Sequence, residues 1–229
     1  MIETLRRSTA HVFVQSLDAP LLNEDDQHHL LKVLRISESD QITLSNGIGA
    51  WMTATILRNG DVCATSETFV EMPHRWSLCV AFSPVKGEKP ELIVQKLTEL
   101  GIDEIIPLAP TVRSVVRWDT AKAEKQTSRL QRVANEASMQ SRRVWLPIVH
   151  PVTQLATLLA RDAVAFAEPG GVEITSGHRT IVIGPEGGFA PEELAQSINR
   201  VSLGESVLRA ETAAIVAGAL MTRCRRSEQ

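Results

Sequence analysis

The sequence predicts an α/β domain with a mainly parallel sheet, preceded by a small β-rich unit. Three observations lead there. Beyond about residue 73, apolar strand-like runs alternate with segments of helical spacing, the pattern of strand–helix–strand units. Before that point, short runs of β-formers are separated by Asn-Gly turns. Finally, Ile181-Val182-Ile183 runs straight into Gly184-Pro185-Glu186-Gly187-Gly188-Phe189, and Ala190-Pro191-Glu192-Glu193-Leu194 follows. That stretch reads as a buried strand, a tight loop and a helix start, with Pro191 in the first turn, where its missing N–H costs nothing.

In chain order, His11–Val14, Gln41–Leu44 and Trp51–Leu57 are strands with partial alternation. Ser45-Asn46-Gly47 and Arg58-Asn59-Gly60-Asp61 are hairpin-type turns, and His28–Leu34 is a short helix. Met72-Pro73-His74 is a linker, so a boundary is expected between residues 1–72 and 73–229. Trp76–Phe82 is an apolar strand. Pro90–Leu100 is a helix with Ile93, Leu97 and Leu100 on one face, ended by Gly101. Ile102–Leu108 is a strand, and Thr120 to about Ser141 is a long helix with Leu130, Val133, Ala134 and Ala137 at helical spacing. Ala163–Ala167 is a strand expected to end at Glu168-Pro169-Gly170-Gly171. After the glycine-rich loop come the strand Val201–Leu203 and a last helix from Glu211 to about Cys224. That helix is apolar on more than one face, which suggests burial against a second copy of the chain or wholly within its own domain.

Composition narrows the function classes. The 229 residues suffice for one large domain, or one large and one small, and 43% hydrophobic residues allow a substantial core. Aromatics are only 4%, with no Tyr, so extensive stacking on aromatic platforms is not the expected binding mode. Net charge is −3, yet between Arg113 and Arg143 eight basic residues face three acidic ones, a local excess able to track phosphates or simply to solvate a helix. Cys63, Cys79 and Cys224 are scattered, with neither CxxC nor zinc spacing, as suits a reducing cytoplasm. No charged-then-apolar leader opens the chain. The apolar run Ala213–Met221 is too short for a bilayer span, which needs about 20 residues. No metal site, Gly-x-Ser-x-Gly motif, GxGxxG or Walker pattern is present.

In an open α/β sheet, ligands bind beyond the carboxyl ends of the strands. Three loops are expected to converge there: Ala167–Gly171, Gly184–Gly188 and Leu203–Arg209. Taken alone, Gly184–Gly188 is either an ordinary β–α turn or a ligand loop. A phosphate at the start of the Pro191 helix is the chemical alternative, but Glu186 and the acidic first turn would repel it.

Several motifs occur together and in order. Gly184-Pro185-Glu186-Gly187-Gly188 is followed by Leu203-Gly204, Leu208-Arg209 and Glu211-Thr212. Upstream stand Gln95-Lys96-Leu97-Thr98-Glu99-Leu100-Gly101, Ile106-Pro107-Leu108, Arg113-Ser114 and Gln140-Ser141-Arg142-Arg143. Near the start is His29-Leu30-x-x-Val33-Leu34-Arg35. Together they resemble the RsmE family of SPOUT-class 16S rRNA (uridine-N3) methyltransferases. The resemblance implies a SPOUT-type parallel sheet with a trefoil knot and a small N-terminal PUA-like β-barrel that helps hold RNA. It further implies methyl transfer from S-adenosyl-L-methionine to N3 of a uridine in 16S rRNA or the small ribosomal subunit. A homodimer in the cytoplasm, with no membrane and no metal, completes the expectation.

For the cofactor, the residues concerned are Ala167, Glu168, Ile183, Gly184, Glu186, Gly187, Gly188, Leu203, Gly204, Val207, Leu208, Arg209 and Thr212. Ile183, Leu203 and Leu208 are suited to wall an adenine, or else are plain core. N3 of uracil carries a proton and lies on the Watson–Crick edge, so the base must be unpaired and its developing anion stabilised. Arg209, always protonated, is the candidate for that role. Glu211 could accept a proton or orient Arg209; the alternative is a helix N-terminal carboxylate with an ion-pair partner. Arg35, Arg113, Gln140, Arg142 and Arg143 are the RNA-facing candidates, through phosphate contacts. Two other functions compete: a non-catalytic RNA-binding assembly factor of the same fold, and a nucleotide-phosphate enzyme.

Overall fold

The structure is a computed structural model that describes residues 2–197 and 199–228. The chain forms two compact units, Met1–His74 with Ser138–Leu146, and Arg75–Ala137 with Pro147–Gln229. The first unit's opening segment ends at His74, and Ser138–Leu146, placed by the sequence expectation in the second domain, belongs to the first unit.

The first unit contains α1 (Ile2–Arg7), β1 (Ala10–Phe13), α2 (Glu24–His28), β2 (Ile42–Ser45), β3 (Ala50–Ile56), β4 (Val62–Ala64) and β5 (Phe69–Val70). The strands run in the order β1-β2-β3-β4, with β5 also pairing with β3; β1 and β2 are parallel and the other pairs antiparallel. Asn23 caps α2 by accepting from the Asp26 amide at 2.8 Å. The helix then widens into a π-helical turn over His29–Val33, of which only Leu30 is buried. The helix therefore starts earlier than the expected His28, because the cap residue lies five positions upstream of it. Between β2 and β3, the Asn46 side chain accepts from the Ile48 and Ala50 amides, as an Asn-Gly turn requires.

Ser138–Leu146 joins this unit because its backbone completes the unit's hydrogen bonding. The Gly49 amide donates to Val144 and the Leu146 amide to Gly47, both at 2.9 Å. His11 is buried, with Nε2 3.0 Å from the Arg143 carbonyl and Nδ1 2.8 Å from the Thr43 hydroxyl. The carbonyl can only accept, so Nε2 carries the proton. Burial pushes the His11 pKa down to about 4, outweighing the Arg143 bond; the Arg142 charge adds to the lowering.

The second unit contains β6 (Cys79–Phe82), α3 (Lys89–Leu100), β7 (Glu104–Pro107), α4 (Thr120–Ser141, its last turn in the first unit), β8 (Ile148–Val149), α5 (Leu155–Leu159), β9 (Val164–Val172), β10 (Thr180–Ile183), α6 (Pro191–Leu194), β11 (Arg200–Val201) and α7 (Ala210–Arg226). The sheet order is β11-β9-β10-β6-β7-β8 and every pairing is parallel. Parallel strands covered on both faces read as continuous apolar runs, and Val80, Ala81, Phe82, Ile181 and Val182 are fully buried.

Two segments depart from the sequence expectation. β9 does not stop at Glu168 but runs on to Val172, because β11 pairs with it there across a register shift. Gly171 makes that approach possible, since a Cβ there would lie 2.6 Å from the Arg200 and Val201 backbone. α6 is a single turn. α7 packs against α3, and Gly218 is the point of close approach, where a Cβ would lie 2.7 Å from Leu97. α3 ends at Gly101 with φ +95°, the left-handed cap expected of it. The buried Arg225 guanidinium pairs with Asp103 and donates to the Gly101 carbonyl at 2.7 Å, fastening the end of α7 to the α3–β7 turn.

Candidate functional site

A cavity of about 510 Å³ opens beyond the carboxyl ends of β10 and β11 and beside the middle of β9. Three chain segments build it: Ala167–Pro169 from β9, Ile183–Gly188 from the end of β10, and residues from Leu203 to Ala210 with Ala213 on α7. Ile183, Leu203, Leu208 and Ala213 give it apolar walls; Glu168, Glu186 and Arg209 give it charge. The expected cofactor residues meet here except Thr212, which is exposed on the first turn of α7 and is not among the lining residues. Pro169, Pro185, Ser206, Ala210 and Ala213 line it as well. Ala210 and Ala213 became site residues only because the start of α7 folds over the cavity.

The loop glycines do different things. A Cβ on Gly184 would lie 3.0 Å from the Phe189 ring, so this glycine serves packing: Phe189 is buried and meets Phe166 edge-on, 4.7 Å between centroids. Gly188 has φ +69° with open space where a Cβ would stand, a backbone that side-chain-bearing residues rarely adopt.

Two contacts hold this loop that the sequence did not announce. The buried Glu193 carboxylate accepts from the Ala190 amide at 2.8 Å and from the Val112 amide at 2.9 Å. It thereby ties α6 to the connection between β7 and α4. On that connection, Arg113 donates from Nη1 to the Gly187 carbonyl at 3.0 Å. Arg113, expected to face RNA, is thus fastened to the cavity loop while it remains exposed. The one available signal for Glu193 was its place three residues after Ala190, the position from which a Glu reaches back to the start of a helix. Burial raises the pKa of Glu168, and Arg200 and Arg113 partly oppose that rise.

Arg209 caps α7 at the cavity wall, with an exposed side chain. Glu211 is not among the lining residues. Its carboxylate pairs with Lys89 on α3 at 3.0 Å, and its pKa is lowered chiefly by the bond from its own backbone amide, with Lys89 next. A carboxylate so held is a poor proton acceptor, so the helix-terminal ion pair is the reading the geometry favours.

The remaining RNA-facing candidates lie in the first unit. Arg142 sits at φ +60° and donates to the Met139, Ser8 and Thr9 carbonyls at 2.8, 3.0 and 3.2 Å. Its guanidinium is committed to backbone and half-buried, which corrects the expectation of a phosphate ligand there. Arg143 donates from Nε to the Trp145 carbonyl at 3.1 Å. Gln140 and Arg35 are exposed. Among the described residues, no three His, Cys, Asp or Glu side chains are placed to hold a metal, and no helix is long and apolar enough to cross a membrane.

A family model described as an RNA methyltransferase domain matches residues 72–222, and one described as an RNA methyltransferase PUA domain matches residues 22–61. The chain is 30% identical over 223 residues to the ribosomal RNA small subunit methyltransferase E of Mycobacterium bovis, covering 86% of this chain and 83% of that protein. Against the Bacillus subtilis protein of the same name, identity is 31% over 226 residues, covering 84% and 85%. Among solved structures, a Legionella pneumophila methyltransferase in complex with bound SAM superposes with a TM-score of 0.80 at 27% identity, over 95% of this chain and 98% of that one. The fold is thus a SPOUT-type α/β domain with a PUA-like N-terminal domain, and the chain belongs to the ribosomal RNA small subunit methyltransferase E family of RNA methyltransferases.

Proposed function

We propose that this protein transfers a methyl group from S-adenosyl-L-methionine to N3 of a uridine in 16S rRNA. The observation that carries this reading is the cavity itself, where three segments meet under apolar walls, with Arg209 on its lining. The fit to the cofactor rests on its chemistry. Ile183, Leu203, Leu208 and Ala213 suit an adenine, while Glu168 and Glu186 suit a cationic sulfonium. When bound, the cofactor supplies an electrophilic methyl group. The protein's part is positioning, which can contribute much of the rate enhancement in such a displacement. Gly188 leaves open space beside the loop backbone, Arg113 and Glu193 hold the loop, and Arg209 faces the negative charge that develops on the uracil oxygens as N3 loses its proton. Glu211 and Lys89 hold the first turn of α7, and through it Arg209. The nucleotide-phosphate alternative is disfavoured by α6, a single turn with Glu192 and Glu193 at its start.

The same reading takes Arg35, Gln140 and Arg143 as RNA contacts of the first unit. It includes a trefoil knot in the second unit and a cytoplasmic location, supported by the three free cysteines. It also includes a homodimer, for which the half-exposed Ile215 and Val216 on α7 provide apolar surface. Small subunits from a strain lacking the protein, incubated with labelled cofactor and the enzyme, test it. Mass mapping should find one new N3-methyluridine; methyl transfer to another base or atom, or none, refutes the assignment.

A further inference from the structure

A second cavity, about 230 Å³, lies between the connections that leave the carboxyl ends of β6 and β7. Val85 and Lys86 line it from the first connection, Pro90 from the start of α3, Trp118 from the second connection, and Lys122 and Gln126 from α4. Trp118 is half-buried, packs against the main core and lines this cavity. Lys86 and Lys122 are exposed, and no ion pair among the described residues involves either. The two cavities share their framework. The first turn of α3 carries Lys89, paired with Glu211 next to Arg209, and then Pro90 of the second cavity. The connection from β7 carries Arg113, bonded to Gly187 of the cofactor loop, and then Trp118.

We propose that the Trp118 cavity is a second RNA subsite, which holds one unpaired base of the substrate strand stacked on the indole, its phosphates met by Lys86 and Lys122. The inference rests on the RNA substrate of the proposed function. Methylation at N3 requires the target base to leave its pair, and that strips stacking from its neighbours. An aromatic surface replaces the lost stack without regard to base identity. The cavity is smaller than the roughly 300 Å³ at which drug-sized pockets begin, a size for one base. Gln126 gives such a base a donor and an acceptor on its edge.

The test is fluorescence anisotropy with a short single-stranded RNA and its duplex, on Trp118→Ala, Trp118→Phe and the double variant Lys86→Ala/Lys122→Ala. Trp118→Ala should weaken single-strand binding about tenfold, on the scale of one lost stack. Trp118→Phe should restore most of it, duplex binding should hardly change, and S-adenosylhomocysteine affinity should stay at the wild-type value. The double lysine variant should lower the salt slope of single-strand binding by about 1.4, roughly 0.7 per phosphate contact. If Trp118→Ala does not fold, Trp118→Phe and the lysine variant decide: a wild-type salt slope in the latter overturns the proposal. So does equal weakening of single strand and duplex, or a wild-type protein that binds no single strand. A wild type that methylates rRNA while every variant binds RNA normally refutes the subsite and leaves the proposed function standing.

Discussion

Glu193→Ala tests how the Gly184–Gly188 loop is held. In the wild type one carboxylate accepts two backbone amides, from Ala190 and Val112. Hydrogen bonds to a charged group are worth about 1.5–3 kcal/mol each, and a buried amide left without a partner costs about 1–3 kcal/mol. Val112 is 58% exposed, so its amide can turn to water, whereas Ala190 is 2% exposed and its amide cannot. Relief of the buried charge offsets part of the loss. The net effect is a loss of about 3 kcal/mol, which lowers Tm by about 6–12 °C in a protein of this size. Glu193→Gln keeps one acceptor and should lose about half as much. Because the same carboxylate holds the connection that carries Arg113 against Gly187, Glu193→Ala should also weaken S-adenosylhomocysteine binding about tenfold, or 1.4 kcal/mol. Thermal unfolding and titration calorimetry read the two effects. An unchanged Tm refutes the clamp; a lowered Tm with wild-type affinity shows that the clamp stabilises the fold without shaping the cavity.

Other perturbations separate the remaining claims. Gly188→Val places a β-branched residue at φ +69° and should abolish S-adenosylhomocysteine binding with circular dichroism unchanged; wild-type affinity by calorimetry removes Gly188 from the site. His11 has a folded pKa lowered from 6.5 to about 4, so the unfolded state takes up the proton first and stability falls as pH drops through that window. The loss amounts to about 3 kcal/mol at 1.36 kcal/mol per pKa unit, and in His11→Gln the acid limb of a denaturation series should flatten by that amount. On α7, Leu220 packs against the main core and Val216 is not among the residues that do. Val216→Arg should therefore give a folded monomer of low activity by light scattering, and Leu220→Arg a destabilised chain. A wild type that is monomeric at micromolar concentration and fully active would end the dimer proposal.

Local chemistry is what the sequence by itself determined. The long helix α4 has the expected limits, Thr120 to Ser141, because a 3.6-residue apolar repeat is complete within the segment that carries it. α3 ends where Gly101 supplies a left-handed cap, and the sheet is parallel because strands alternate with helices along the chain. Two of the three expected loops, after β10 and β11, follow strands whose carboxyl ends lie at the same edge of the sheet and line one cavity; the third, Ala167–Gly171, is part of β9 itself. Tertiary structure decided the rest. That the Arg142 guanidinium is held by backbone depends on carbonyls at Ser8 and Thr9, and whether Glu211 is a base or half of an ion pair depends on Lys89. The extension of β9 past Glu168 depends on β11 closing over Gly171. Periodicity and caps act through near neighbours and are written in short windows. Ion pairs, shared acceptors and close backbone approach join residues far apart in the chain, and their geometry exists only once each unit has folded.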